Sequence, residues 1–95
     1  ATGVLAAAAR AGLSVPGELS VTGYDDIAYA AFTSPPLTTV RQPAHVMGEE
    51  AVRLLLARLQ GDDAPPRRIV VEPELQARVS SGPPPPSKTT PLGRA

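Results

Sequence analysis

Two adjacent aspartates, Asp25 and Asp26, follow the run Leu19-Ser20-Val21-Thr22-Gly23-Tyr24 and are the residues of this chain best suited to chemistry. An ionised carboxylate offers two acceptor oxygens, enough to take hydrogen bonds from two vicinal hydroxyls of a sugar or from a ring N–H. The run from Leu19 to Gly23 is short, small and partly β-branched, which suits a strand buried by helices on both faces. In open α/β sheets, ligands bind at the carboxyl ends of such strands, and Asp25 stands at that end. The same aspartates also precede Ile27 to Phe32, a short helix that an aspartate would cap. Both uses stand side by side, and the roles divide readily, with Asp26 capping and Asp25 facing a cleft.

Catalytic chemistry has fewer supports. Carboxylates adjacent in sequence do not form an acid/base pair across a scissile bond, which requires one carboxyl on each side of it. Ser20, Ser34, Ser80 and Ser81 lie in no elbow motif, and His45 is the single imidazole in the chain. A lone histidine in a first helical turn is most often a solvated surface residue. The glycines Gly3, Gly12, Gly17 and Gly23 match no phosphate-loop spacing. Asp62-Asp63 lacks the further oxygen ligands of a calcium loop. With no cysteine, thiolate metal sites and disulfides are excluded. The sequence therefore predicts no enzyme, no cofactor and no metal.

Composition sets the scale of what can hold these residues in place. The 95 residues carry nine basic and nine acidic side chains and no net charge, so a basic stripe for nucleic acid is lacking. Twelve prolines and only three aromatic residues (Tyr24, Tyr29, Phe32) leave few bulky anchors for a core. No apolar run approaches the ~20 residues that span a bilayer, and no signal segment opens the chain.

The elements that must position the aspartates can be read in order. Residues 1–12 form a helix of mostly alanines, stopped by Gly12. Pro16-Gly17 marks a turn, and a strand over 19–23 leads to the aspartates. After the short helix, Pro35-Pro36 gives way to a strand over 37–41. Pro43 suits a first helical position, and residues 44–60 make the best helix of the chain. That helix carries a stripe of Gly48, Ala51, Val52, Leu55 and Leu59, and a Glu49–Arg53 pair. Strands follow over 68–72 and 75–79. Beyond Ser80 the proline-rich sequence has too little apolar surface to order itself. Such an alternation of helix and strand predicts an α/β layer architecture.

The wording of several segments then becomes specific in combination. Val15-Pro16, Ser20-Val21, Gly23-Tyr24-Asp25-Asp26, Pro36-Leu37-Thr38-Thr39-Val40, Gln42-Pro43, Gly48 with Ala51, Pro73-Glu74-Leu75 and Arg78-Val79-Ser80 resemble, in order and spacing, the LacI/GalR family of bacterial transcription regulators. The likeness covers about residues 1 to 81. It implies part of a two-lobed, three-layer fold like that of type I periplasmic binding proteins, with mostly parallel sheets. Residues 1–42 would belong to the C-terminal lobe, 43–72 would give a helix and a strand to the N-terminal lobe, and 73–80 would return. Residues 81–95 would be a disordered tail.

By the same resemblance Asp25 is the effector-binding aspartate, with Ala44 and Met47 on the opposite wall of the cleft. Thr2, Leu5, Ala9, Ala28, Tyr29 and Phe32 match surfaces that pair C-terminal lobes into homodimers. The implied effector is a sugar or related small metabolite. Operator DNA would be a partner only through an N-terminal headpiece that these residues do not include, and a membrane would not be one. The implied location is cytoplasmic. The competing expectation is the matching part of a secreted sugar-binding protein of a transporter, which shares the fold.

Overall fold

The computed structural model describes residues 1–86. Helix α1 (Thr2–Arg10) forms where alanine dominates and ends where expected. Gly12 takes a positive φ of 75°, its N–H donates to the Ala9 carbonyl, and the Leu13 N–H donates back to Ala8. This is a glycine-centred stop that satisfies carbonyls the helix would otherwise leave open. The buried face of α1 is narrow, Leu5 and Ala8. Leu5 packs with Val21, Ala30 and Leu37, and Val15 packs against that cluster.

Strand β1 (Thr39–Arg41) pairs antiparallel with β2 (Glu74–Gln76), in the register Thr39 to Gln76, Val40 to Leu75 and Arg41 to Glu74. Between these strands the chain leaves for helix α2 (Ala44–Leu59) and comes back. The two segments expected as strands, 19–23 and 37–41, meet in one parallel bridge, Thr22 to Thr38, with Gly23 N–H donating to the Thr38 carbonyl. The ladder goes no further because a side chain has taken over its next positions. The Ser80 hydroxyl accepts from the Thr38 N–H at 2.8 Å and donates to the Val21 carbonyl at 2.5 Å. The Val21 N–H completes the set by donating to the Ser80 carbonyl at 2.9 Å.

Ser80 is wholly buried. In Ser80→Ala the Thr38 N–H loses its partner inside the protein, and an unsatisfied buried donor costs about 1–3 kcal/mol. In the full-length regulator the expected result is a lower urea midpoint at unchanged m-value. An equal midpoint would mean that the hydroxyl is dispensable.

Three expected elements come out differently. The helix after the aspartates is a 3-10 helix, Ala28–Phe32, with Ile27 at its start and no side-chain cap. Pro43 occupies the position before α2 rather than its first turn. The segment 68–72 carries no assigned strand, and Val70 is 78% exposed; among the described residues no neighbouring strand pairs with it. On α2 the ion pairs also differ: Arg53 bonds Glu50 at 2.5 Å, one residue closer along the chain than Glu49, which pairs with His45 at 2.7 Å.

Helix α2 has no buried residue, and Val52, Leu55, Leu56 and Leu59 on it are all at least half exposed. The described tail begins later than expected. Ser81 Oγ bonds Thr38 Oγ1, and Gly82 N–H donates to Ser20 Oγ at 3.0 Å, so order extends through Gly82. Pro83 to Pro86 are exposed and without regular structure, while the remainder of the expected tail, 87–95, lies outside the described residues.

Candidate functional site

The turn Tyr24-Asp25-Asp26 follows the Thr22–Thr38 bridge and leaves the sheet with two consecutive positive φ angles, 86° at Asp25 and 45° at Asp26. L-residues rarely adopt this region, and aspartate tolerates it better than most because its short carboxyl bonds locally. Gly23 just before it is required by close approach. A Cβ there would stand 3.0 Å from Leu37 Cδ2 and 3.2 Å from Ala1 Cβ.

The two carboxylates have different surroundings. Asp25 is exposed, and one of its oxygens accepts from the Gln42 side-chain amide. Asp26 turns inward, with its side chain only 5% exposed. Its Oδ1 accepts from Arg78 Nη1 at 2.8 Å and its Oδ2 from Arg41 Nε at 2.8 Å. Its own N–H donates to Thr39 Oγ1 at 3.3 Å. Arg78 is anchored in turn, Nη1 donating also to the Leu37 carbonyl and its backbone N–H to Thr38 Oγ1. Asp26 is therefore not a helix cap. It is an acceptor for two guanidinium groups, and the expected division of labour is corrected on that side.

The Arg78 hydrogen bond holds the Asp26 carboxyl below the usual aspartate value of 3.8; partial burial opposes it, and the Arg41 bond and both positive charges reinforce it. A carboxyl whose folded pKa is depressed contributes stability above its unfolded value, and that stability is lost as pH falls through the folded one. In the full-length regulator we expect thermal stability to drop below about pH 3.8, and Asp26→Asn to remove part of that dependence. A pH profile unaltered by Asp26→Asn would show that other carboxyls carry it.

The other expected site residues fall in two places. Ala44 and Met47 are both exposed on the first turn of α2, two residues and five residues past Gln42. Ala44 lines an open groove along α2 with His45, Gly48, Glu49, Val52, Arg53 and Leu56, which Met47 does not join. Thr2, Leu5, Ala9, Tyr29 and Phe32 come together along a second groove between α1 and the 3-10 helix, with Leu5 at its buried floor. Ala28 is exposed but does not line that groove.

Sequence reasoning missed Arg41, Gln42 and Arg78 as partners of the aspartates. The available signal was cationic and amide side chains in otherwise extended segments flanking the turn.

Among the described residues no group of three or more histidine, cysteine, aspartate or glutamate side chains could hold a metal ion. No helix among them is long and apolar enough to cross a membrane.

The turn thus presents one carboxylate at the end of a segment joined to its neighbour by a parallel bridge, and open α/β sheets commonly bind ligands at such strand ends. The family model for the periplasmic binding protein-like domain matches residues 1–81, and the chain belongs to that family. Its relatives are helix-turn-helix transcription regulators of the LacI family. The HTH-type transcriptional regulator MalR of Streptomyces coelicolor is 49% identical over 81 residues, 85% of this chain and 24% of that protein. The solved complex of the transcriptional regulator CelR with cellobiose superposes with a TM-score of 0.79 at 39% identity, over 84% of this chain and 24% of CelR. The Lac repressor dimer bound to operator and the anti-inducer ONPF gives 0.77 at 32% identity, over 85% of this chain and 28% of the repressor chain. The chain thus spans about a quarter of the length of these three proteins. These relatives are regulators, which favours that expectation over a transporter's binding protein.

Proposed function

We propose that this chain is the effector-sensing and dimerising part of a bacterial transcription regulator, and that its effector is a sugar or related small metabolite. The observation that carries the reading is the exposed Asp25 carboxylate, presented on a left-handed turn beside Gln42 and the start of α2. Such a group accepts from vicinal hydroxyls, and the cellobiose bound by CelR supports a sugar as the ligand class. Residues 1–42 and 73–80 would build one lobe, while 43–72 reach into the other. Ala44 and Met47 would face Asp25 across the cleft. Thr2, Leu5, Ala9, Tyr29 and Phe32, with Ala28 beside them, would form the surface that pairs two copies. Operator DNA would be bound by a separate headpiece, in the cytoplasm.

The test uses the full-length regulator. It is titrated calorimetrically with cellobiose, maltose, glucose and ribose, and its operator affinity is measured with and without each. Binding of one sugar with a change in operator affinity is the expected result. Operator binding that responds to none of the four would remove the sugar from this reading.

A further inference from the structure

We propose that Asp26 is a positioning residue: clamped by Arg78 and Arg41, it holds the left-handed turn that aims the Asp25 carboxylate, and it ties that turn to the returning segment after β2. The importance of Asp25 as the ligand group rests on the reading just given. The clamp itself is argued from this chain alone.

Two consecutive L-residues at positive φ persist only where surrounding contacts over-determine them. Here the contacts come from two directions. From β1 and the residue after it, Thr39 takes the Asp26 N–H, Arg41 holds Oδ2, and Gln42 reaches the Asp25 carboxylate. From beyond β2, Arg78 holds Oδ1 and at the same time the Leu37 carbonyl. Arg78 is 18% exposed and Arg41 54%, so the Arg78 bond is the better shielded of the two. Asp25 has no contact of its own to the returning segment among its described hydrogen bonds; the link runs through Asp26. A shift of the Arg78 segment would therefore reach the effector carboxylate through one side chain.

The turn's looseness can be read without any ligand, from backbone hydrogen exchange in the full-length regulator. Asp26→Asn keeps the shape but removes the charge that both guanidinium groups hold. Arg78→Met removes the shielded arm, Arg78→Lys restores a single cation there, and Arg41→Met removes the exposed arm. The expected result is exchange about tenfold faster at residues 23–26 in Asp26→Asn and Arg78→Met. Rates in α1 and α2 should be unchanged, and Arg78→Lys should recover most of the effect. The affinity for whichever of the four sugars the wild type binds should fall in parallel.

Unchanged exchange in all four variants would overturn the proposal. So would faster exchange throughout the protein, which would make the cluster a general stabiliser. A loosened turn with unaltered sugar affinity would also overturn it. A loosened turn in a protein whose wild type binds none of the sugars would uphold the clamp and remove only the sugar reading.

Discussion

Asp25→Asn is expected to weaken effector binding by about ten- to a hundredfold, the equivalent of losing one charge-assisted hydrogen bond. The substitution keeps the side chain's shape and one acceptor oxygen but removes the charge and turns the second oxygen into a donor. Operator affinity without effector should stay at the wild-type level, because in the proposed reading a separate headpiece binds the operator. Response lost with DNA binding intact is the pattern a ligand residue produces. Paired titrations of effector and operator on the full-length regulator check it. Wild-type effector affinity in Asp25→Asn would leave the carboxylate with only its Gln42 bond and sink the assignment.

The second large effect concerns the 95-residue chain by itself. Among the described residues the buried apolar ones are few (Leu5, Ala8, Val21, Ala30 and Leu37), and two of the five are alanines. Against them, among the same described residues, stand seventeen exposed large hydrophobic residues, including Leu59 at 73%, Val70 at 78% and Phe32 at 79%. The molecule is drawn out to 66 × 30 × 18 Å, and no residue of α2 is buried. So little buried surface does not offset the entropy of ordering a chain of this length. We expect the isolated chain to melt over a broad range, without a cooperative transition, and to associate as concentration rises. A sharp transition in a monomer, with α2 protected from exchange, would contradict this.

What the sequence disclosed was mostly local. The end of α1 at Gly12 and the extent of α2 follow from glycine, proline and helix propensity, which act within a few residues. The family and its periplasmic-binding-protein-like fold were legible because the Gly23 to Asp26 run and the Pro36 to Val40 run occur at a specific spacing. The pairings were not legible. Nothing in Arg78 announces that it meets a carboxylate fifty-two positions earlier, since that contact is made by the fold. The capping role expected of Asp26 failed for the same reason: two distant guanidinium groups outcompeted one nearby helix end. The strand expected over 19–23 was reduced to a bridge because the Ser80 hydroxyl, remote in sequence, supplies bonds a ladder would have made. The strand expected over 68–72 is a statement about a neighbour, and composition carries no information about neighbours.

The register of β1 against β2 has a mechanical consequence. Arg41 and Glu74 face each other, so the whole excursion through α2 leaves and re-enters the rest of the chain at a single rung. A tilt of α2 reaches the rest of the chain by way of the Arg41–Glu74 rung and the Gln42–Asp25 bond beside it, and Arg41 is the residue whose guanidinium grips Asp26 Oδ2. The backbone hinge of the excursion and one anchor of the carboxylate turn thus belong to one residue.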